Sequence, residues 1–304
     1  MKNILKKIFM DSDKIAVPSA RSVFLRDTKD ATLTNENEFL FFSSLKLVNG
    51  TTKTTERNRL RDVDEWLLGF MANRKTQNVL DVAISSGVTT VELCELFDLK
   101  KFAYEITGLD SDITAFLLIL NDRTSVLLDK LGNVLHFEIH GKGFGYVKGT
   151  NIQHWLEREI IKLRAKLFIK YRTNSDLVGF NKSGRKTRAH LREVKLVCRE
   201  ILENPKIKLL EESLFSNGNG EKYDLIRAAN ILNKAYFSDS EISEALRSTR
   251  NKLKEGGLLL ICRTNSEGQN NASIFILENE KEFKTLGRFG QGSEIENLVL
   301  HLGN

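Results

Sequence analysis

Apolar positions recur along the chain at two spacings, and the two alternate from Asn78 onward. Val79, Leu80 and Val82 form a short apolar run that reads as a buried strand. A turn of small residues follows, Ala83 to Gly87, and then Val88, Val91, Cys94 and Phe97 mark a helix. Strand, tight turn and helix make the opening unit of a doubly wound sheet, and such turns are where nucleotide-like ligands sit. Small residues let a ligand come close to the backbone. The turn lacks a full three-glycine pattern, because Ala83 and Ser85 stand where two glycines would be and only Gly87 remains. Taken alone, it reads equally well as a buried strand entering an ordinary helix.

Before this stretch, residues 1–76 read as helical and irregular. Phe39, Leu40, Phe41, Phe42 and Leu45 need burial, and Leu60, Val63, Leu67 and Met71 stand at helical spacing. After it, Ala103 to Leu109 reads as a second strand with Asp110 at its end. The alternation then breaks. Thr124 to Ile139 predicts two strands around Lys130-Leu131-Gly132-Asn133, a hairpin turn. Two basic helices are expected next, one on Ile152, Leu156, Ile160, Leu163 and Leu167, the other on Leu191, Val194, Cys198 and Ile201. The polar stretch Thr173 to Thr187 between them reads as a loop, and Pro205 ends the second helix.

Strand spacing resumes at Ile207 to Leu210 and at Tyr223 to Ala229. Ser238 with Glu241 forms a capping box that opens a helix running to Glu255. Gly256-Gly257 reads as its C-cap, and Leu258 to Cys262 as the next strand. Ala272 to Leu277 and Glu294 to Leu302 read as two closing strands. The predicted fold is α/β, a doubly wound, Rossmann-like, mostly parallel sheet. It is expected to carry an N-terminal helical segment over 1–76 and a main domain over 77–304, with an inserted hairpin plus helices at about 121–186.

Composition narrows the class. With 304 residues, 41% hydrophobic and 28% charged, the chain suits one large α/β domain and an accessory segment. No apolar run reaches the length of a membrane span, and Lys6 and Lys7 break the N-terminal one. Cys94, Cys198 and Cys262 lie far apart within apolar patterns, which predicts buried reduced thiols and a cytoplasmic protein. No Cys/His pair has zinc spacing, so no metal is expected. The net charge of +6 concentrates between Lys162 and Lys208. A solvated helix face explains it more simply than nucleic acid, since the aromatics there fall at helical core spacing.

Five segments in order resemble a class I S-adenosylmethionine-dependent methyltransferase, over about 78–112 and 206–302. Asp81-Val82-Ala83-Ile84-Ser85-Ser86-Gly87 resembles the first, cofactor-binding motif, and its Ser-x-Gly ending is most like the chemotaxis-receptor methyltransferases. Asp110 matches the acid that holds the ribose, and Ser213-Leu214 the adenine-contacting pair. Tyr223-Asp224-Leu225-Ile226 followed by Asn230-Ile231-Leu232 and Tyr236-Phe237 resembles the fourth motif, and Leu253 to Leu259 the L-x-x-G-G-x-L segment. The resemblance implies S-adenosyl-L-methionine as cofactor, bound through Asp81, Ala83, Ser85, Gly87, Asp110, Ser213, Leu214 and Asn230, and an antiparallel last strand. The methyl acceptor would be a small molecule or a protein side chain. The chemotaxis enzymes' receptor-recognition domain has no counterpart here, so their glutamate substrate is not carried over.

Methyl transfer from a sulfonium needs acceptor and methyl held in line and water excluded, so a strong acid or base is optional. Asn230 and Tyr236 are the candidate catalytic residues, each with a plainer reading as a turn cap or a core residue. Asp110 can equally be a turn residue. Arg227 is unusual in a buried strand and calls for a carboxylate partner, Asp224 or Glu212. The alternatives are a binding or regulatory module of the same fold, and a nucleic-acid methyltransferase whose binding would weaken steeply with salt.

Overall fold

A computed structural model of the chain describes residues 17–25, 34–47, 50–71, 74, 77–139, 141–144, 178–180, 186–188, 190–218 and 220–302. In chain order the elements are α1 (Ala20–Phe24), α2 (Asn35–Ser44), α3 (Arg61–Met71), β1 (Gln77–Val82), α4 (Val88–Leu99), β2 (Tyr104–Asp110), β3 (Thr114–Asn121) and β4 (Thr124–Leu128). Then come β5 (Val134–Ile139), β6 (Lys142–Phe144), β7 (Val178–Phe180), β8 (Lys186–Arg188), β9 (His190–Lys195), α5 (Arg199–Glu203) and β10 (Ile207–Glu211). The chain closes with β11 (Tyr223–Ala229), α6 (Asp239–Lys252), β12 (Leu253–Thr264), β13 (Asn270–Glu278), β14 (Glu282–Phe289) and α7 (Glu296–Leu300).

Two compact units result, Met1–Thr54 with Thr114–Leu196, and Thr55–Ile113 with Val197–Asn304. This division differs from the expected split at 76/77. The stretch from Thr55, including α3, joins the sheet unit, because Leu60, Val63, Leu67 and Met71 are buried against β1 and α4 residues such as Val79 and Leu93. The first unit is an antiparallel sheet in the order β6-β5-β4-β3-β9, with β7 and β8 paired separately. Its β4–β5 hairpin falls where Lys130 to Asn133 placed it, with Gly132 at φ 84. The insertion itself is wider than 121–186, since β3 and β9 flank the hairpin. Phe41 packs edge-on against Phe42 and near His136, which burial lowers to a pKa of about 3.

The second unit holds the parallel sheet, ordered β10-β2-β1-β11-β12-β13-β14. The first five strands are parallel neighbours, and β13 and β14 follow as an antiparallel meander. Both faces are covered. Ile242, Ala245, Leu246 and Val299 pack with Leu80, Ile226 and Leu259 on one side. Leu67, Leu93 and Phe97 pack with Val79, Leu225 and Leu258 on the other. Burial on both faces explains the unbroken apolar run Leu258 to Cys262 in β12 and the apolar Val79, Leu80 and Val82 of β1. The fold is thus α/β, doubly wound and mostly parallel, as the periodicity predicted.

Several elements differ from expectation. Leu191 to Ile201 is not one helix. His190–Lys195 pairs antiparallel with β3, and only Arg199–Glu203 is helical, because Thr114↔Lys195 pairing satisfies that backbone in a sheet. The basic helix expected at Ile152 to Leu167 lies outside the described residues. Parts of Thr173 to Thr187 are strand rather than loop, since Val178↔Arg188 and Phe180↔Lys186 pair. Glu294 to Leu302 is not a strand: α7 lies there, and the second closing strand is β14. Both closing strands are antiparallel, not the last alone. The capping box forms as read, Ser238 N–H donating to Glu241 Oε2 at 2.8 Å. Gly256-Gly257 is not the C-cap of α6, because Leu253 already starts β12 and both glycines lie inside that strand.

Candidate functional site

From β1 the chain goes on to β2 and β10 on one side and to β11 on the other, so the order reverses at the carboxyl ends of β1 and β11. A crevice outside a reversal of this kind is where open α/β sheets take ligands. The turn Ala83 to Gly87 leaves β1 there. Ala83, Ser85 and Gly87 all have left-handed backbones, at φ 58, 59 and 81. This alternation is what glycines supply at no steric cost; on Ala and Ser each left-handed residue costs about 1–2 kcal/mol. Such strain persists only where the surroundings fix it.

The fixing contacts are explicit. Ile84 N–H donates to Leu109 O at 3.2 Å, and Gly87 N–H to Ile84 O at 2.8 Å. The Ile84 side chain is buried against Gly108, where an added Cβ would lie 2.8 Å from Ile84 Cδ1. Cys198 N–H donates to Ser86 O at 2.7 Å, and Ile201 of α5 leaves no room for a Cβ on Gly87. Ser85 N–H donates to Asp110 Oδ2 at 2.8 Å.

Asp110 therefore stands at the end of β2, as predicted, with its carboxylate on the turn. Its Oδ1 accepts from Asp112 N–H at 3.0 Å, so the turn role is filled too. Glu212 N–H donates to Asp110 O at 3.2 Å, which brings the stretch after β10 alongside. Ser213 is exposed there, with its Oγ accepting from Phe215 N–H, while Leu214 packs with Ala83 against the same apolar cluster. Ser85, Asp110 and Ser213 thus follow one another along one continuous rim.

Asp81 points the other way. Its carboxylate accepts from Arg227 Nε at 2.9 Å, Arg227 Nη2 at 2.6 Å and Thr90 Oγ1 at 2.6 Å. Arg227 Nη1 donates to both oxygens of Asp64 in α3, and Nη2 also to Thr89 O. All three charged side chains are buried. The partners expected for Arg227 were Asp224 and Glu212, and neither is used. Asp224 pairs with Lys254 and accepts from Asn78 N–H, and Glu212 lies beside Lys252. One cation against two carboxylates leaves a surplus negative charge. Burial pushes Asp64 up to about 6, against the pull of Arg227 and with Asp81 adding to the rise. Burial alone would lower Arg227, but the two carboxylates outweigh it and its pKa is raised.

Asn230 sits just past β11 with φ 60. Its Oδ1 accepts from Thr264 N–H at 2.7 Å and its Nδ2 donates to Thr264 Oγ1 at 3.3 Å, so its amide ties the ends of β11 and β12 together. Tyr236 is 58% exposed on the turn that Asn233 organises, and Asn233 Nδ2 donates to Asn230 O at 3.3 Å. Cys94 and Cys262 are buried free thiols pushed up to about 12 by desolvation, so they stay protonated near neutral pH. Among the described residues no three His, Cys, Asp or Glu side chains are grouped to hold a metal. An open groove of about 980 Å³ lined by Leu68, Arg74, Leu96 and Phe102 lies at the opposite, amino-terminal end of β2.

Three residues of this region were missed in the sequence. Asp64 falls on the apolar stripe of α3, directly after Val63, and an acid on a buried stripe was the signal to pair with the Arg in a buried strand. Arg59 and Thr264 carry no such mark, because they meet only through tertiary structure.

No protein-family model matches the chain, and no curated protein sequence matches it. Among solved structures it is similar to N-methyltransferase NodS from Bradyrhizobium japonicum WM9 in complex with S-adenosyl-L-homocysteine, at 11% identity over 70% of this chain and 65% of that one, TM-score 0.31. It is also similar to a putative O-methyltransferase from Nostoc punctiforme PCC 73102, at 13% identity over 69% and 39%, TM-score 0.31. A third is the PH0226 protein from Pyrococcus horikoshii OT3, at 13% identity over 80% and 79%, TM-score 0.34. Of the NodS chain this chain spans 65%, and of the Nostoc protein 39%. No helix among the described residues is long and apolar enough to cross a membrane.

Proposed function

We propose that the sheet unit binds S-adenosyl-L-methionine at the carboxyl ends of β1, β2 and β11 and transfers its methyl group to a small molecule or a protein side chain. The observation that carries this is the 2.8 Å hydrogen bond from Ser85 N–H to Asp110 Oδ2. It couples a left-handed turn to an acid at the end of the neighbouring strand, beside the reversal of strand order. The cofactor would supply an electrophilic methyl group on a sulfonium, and the chain's residues have only to hold and align it.

The residues fit such a group. The backbone of Ala83 to Gly87 keeps the form that glycines give elsewhere, at the expense of strain. The Asp110 carboxylate, at the end of β2 and holding the turn through Ser85 N–H, is a hydrogen-bond acceptor of the kind that ribose hydroxyls require. Leu214 and Ala83 offer an apolar wall suited to adenine. Asn230 positions the end of β11 and is the residue placed to orient the amino-acid part. Tyr236, exposed on its turn, is assigned no role in the transfer. The likeness to chemotaxis-receptor enzymes rests on Ser85-Ser86-Gly87 and the Asn230 run, and it adds no acceptor to the proposal.

A second reading, a cofactor-binding module without turnover, is favoured by the Cβ atoms of Ala83 and Ser85, which occupy space that glycines leave open. Calorimetric titration of the full chain with S-adenosyl-L-methionine tests the cofactor. Binding is expected, with at least a tenfold loss in Asp110→Ala. Absence of heat with the parent chain removes the proposal. Binding without methylation of any acceptor in a fractionated extract favours the module.

A further inference from the structure

The strand ends hold a cation that the cofactor-binding reading leaves unused. Arg59 precedes α3 and is half-buried. Its Nε–H donates to Thr264 Oγ1 at 3.2 Å, at the last residue of β12. Thr264 Oγ1 in turn donates to Asn270 Oδ1 at 2.8 Å and accepts from Asn230 Nδ2. Asn270 Nδ2 donates back to Arg59 O at 2.7 Å and to Asp62 Oδ1 at 2.6 Å. Backbone and Nε of Arg59 are thus both fixed, which orients the guanidinium before any ligand arrives.

Among the described residues no carboxylate lies within ion-pair distance of Arg59. Its neighbours differ: Arg57 pairs with Glu200, Arg61 with Glu65 and Arg263 with Glu294. Asp62, three residues on, accepts from Asn270 Nδ2 and from Val63 N–H through Oδ1. A half-buried guanidinium anchored by Nε, with its two terminal nitrogens unspent, matches a carboxylate in bidentate geometry.

We infer that Arg59, oriented by Thr264 and Asn270 beside Asn230, is a carboxylate-binding subsite of the same crevice. This rests on the cofactor-binding reading for its place, not for its chemistry. Asp110 and Thr264 end strands three inter-strand steps apart, about 14 Å. A ligand touching both must be an extended one, a nucleoside with an amino-acid tail, or else two ligands lie side by side. The carboxylate comes from the tail in the first case and from the methyl acceptor in the second.

The test is calorimetry on the full chain with S-adenosylhomocysteine, with 5′-methylthioadenosine, which lacks the carboxylate, and with benzoate against benzamide in the presence of S-adenosylhomocysteine. Parent, Arg59→Gln and Arg59→Lys are compared, with denaturant midpoints to confirm folding. Arg59→Gln is expected to weaken one carboxylate ligand ten- to a hundredfold and to leave its neutral analogue unchanged. Arg59→Lys, which keeps the charge without the fork, falls between, and it carries the test if Arg59→Gln does not fold. Selective loss of S-adenosylhomocysteine assigns the subsite to the cofactor's tail. Selective loss of benzoate assigns it to the acceptor. Equal loss for charged and neutral ligands, or no loss, overturns the inference. If neither nucleoside binds the parent yet benzoate binds in an Arg59-dependent way, the cofactor reading fails and the subsite stands.

Discussion

The buried Asp64–Arg227–Asp81 group gives the sharpest prediction. Arg227 makes five hydrogen-bond contacts, two to Asp64, two to Asp81 and one to Thr89 O, and one guanidinium balances two carboxylates. Arg227→Met leaves both acids buried without a cation, which costs about 3–5 kcal/mol. That count treats Asp81–Thr90 as intact. Asp64→Asn does something different. The amide oxygen still accepts from Nη1, the Arg227–Asp81 pair survives, and the surplus charge is gone. The sign with pH follows from the direction of the Asp64 shift. Its carboxyl titrates near 6 in the fold and at the model-peptide 3.8 when unfolded, so between these values the folded chain holds more proton. Stability from this group is full below about pH 4 and is lost as pH rises through 6. The proton that Asp64 keeps in the fold is worth roughly 3 kcal/mol across that window. Parent and Asp64→Asn are therefore expected to differ in slope, with the variant flat and the parent falling. Near pH 7.5 the variant should be as stable as the parent or more so. The assay is urea unfolding followed by Trp66 fluorescence at pH 4.5, 6 and 7.5, in a Trp155→Phe background so that the sheet unit alone reports. Parallel pH slopes for parent and Asp64→Asn, or a loss at neutral pH matching that of Arg227→Met, would refute the surplus-charge argument.

Gly87→Ala meets both a left-handed φ of 81 and the Ile201 side chain, so it should lose about 2–4 kcal/mol in denaturant unfolding, with Ile201→Ala recovering only the steric part. Ala83→Gly relieves a left-handed residue and should gain up to about 1 kcal/mol in the same measurement while tightening cofactor binding in calorimetry. A loss of stability there would mean that the turn is not strained. Ser238→Ala removes the cap of α6 and should cost about 1 kcal/mol with no change in cofactor affinity.

Local chemistry made much of the sheet unit legible. Val79 to Val82 and Leu258 to Cys262 are short apolar runs bounded by turn residues, which leaves few options but buried strands. Ser238 with Glu241 fixes a helix start by two reciprocal hydrogen bonds, needing nothing from the rest of the chain. The failures share a cause. Leu191 to Ile201 has helical apolar spacing, yet β3 offers its residues a partner more than seventy positions away, and period alone cannot register that. Glu294 to Leu302 has strand-like composition, but Ile295 and Val299 bury a single helical face against the α6 side of the sheet. Arg227 was recognisable as a buried charge because its neighbours in β11 are apolar. Its partners were not, since Asp64 and Asp81 come from elements that only the fold brings together.

The same dependence explains how a turn without two of its glycines keeps the glycine conformation. Left to itself, Ala83-Ile84-Ser85 would relax to right-handed or extended backbone, because each left-handed residue is unfavourable alone. Here both stems are held from outside the turn. Asp81 on the entering side is gripped by Arg227 and Thr90, and Thr89 O on the leaving side accepts from the same guanidinium. Between them Ile84 is locked under Gly108, and Ser85 N–H is bound by Asp110. Four attachments of about 1 kcal/mol or more each are enough to hold two strained residues. The geometry at Ala83 and Ser85 is therefore a property of Arg227, Asp81 and Asp110 more than of the turn's own sequence. It follows that Arg227→Met should raise hydrogen exchange at the Ser85 to Val91 amides more than at the amides of β13, which shares the sheet but none of these contacts. Uniform faster exchange across the unit would show instead that the turn is held by its own packing.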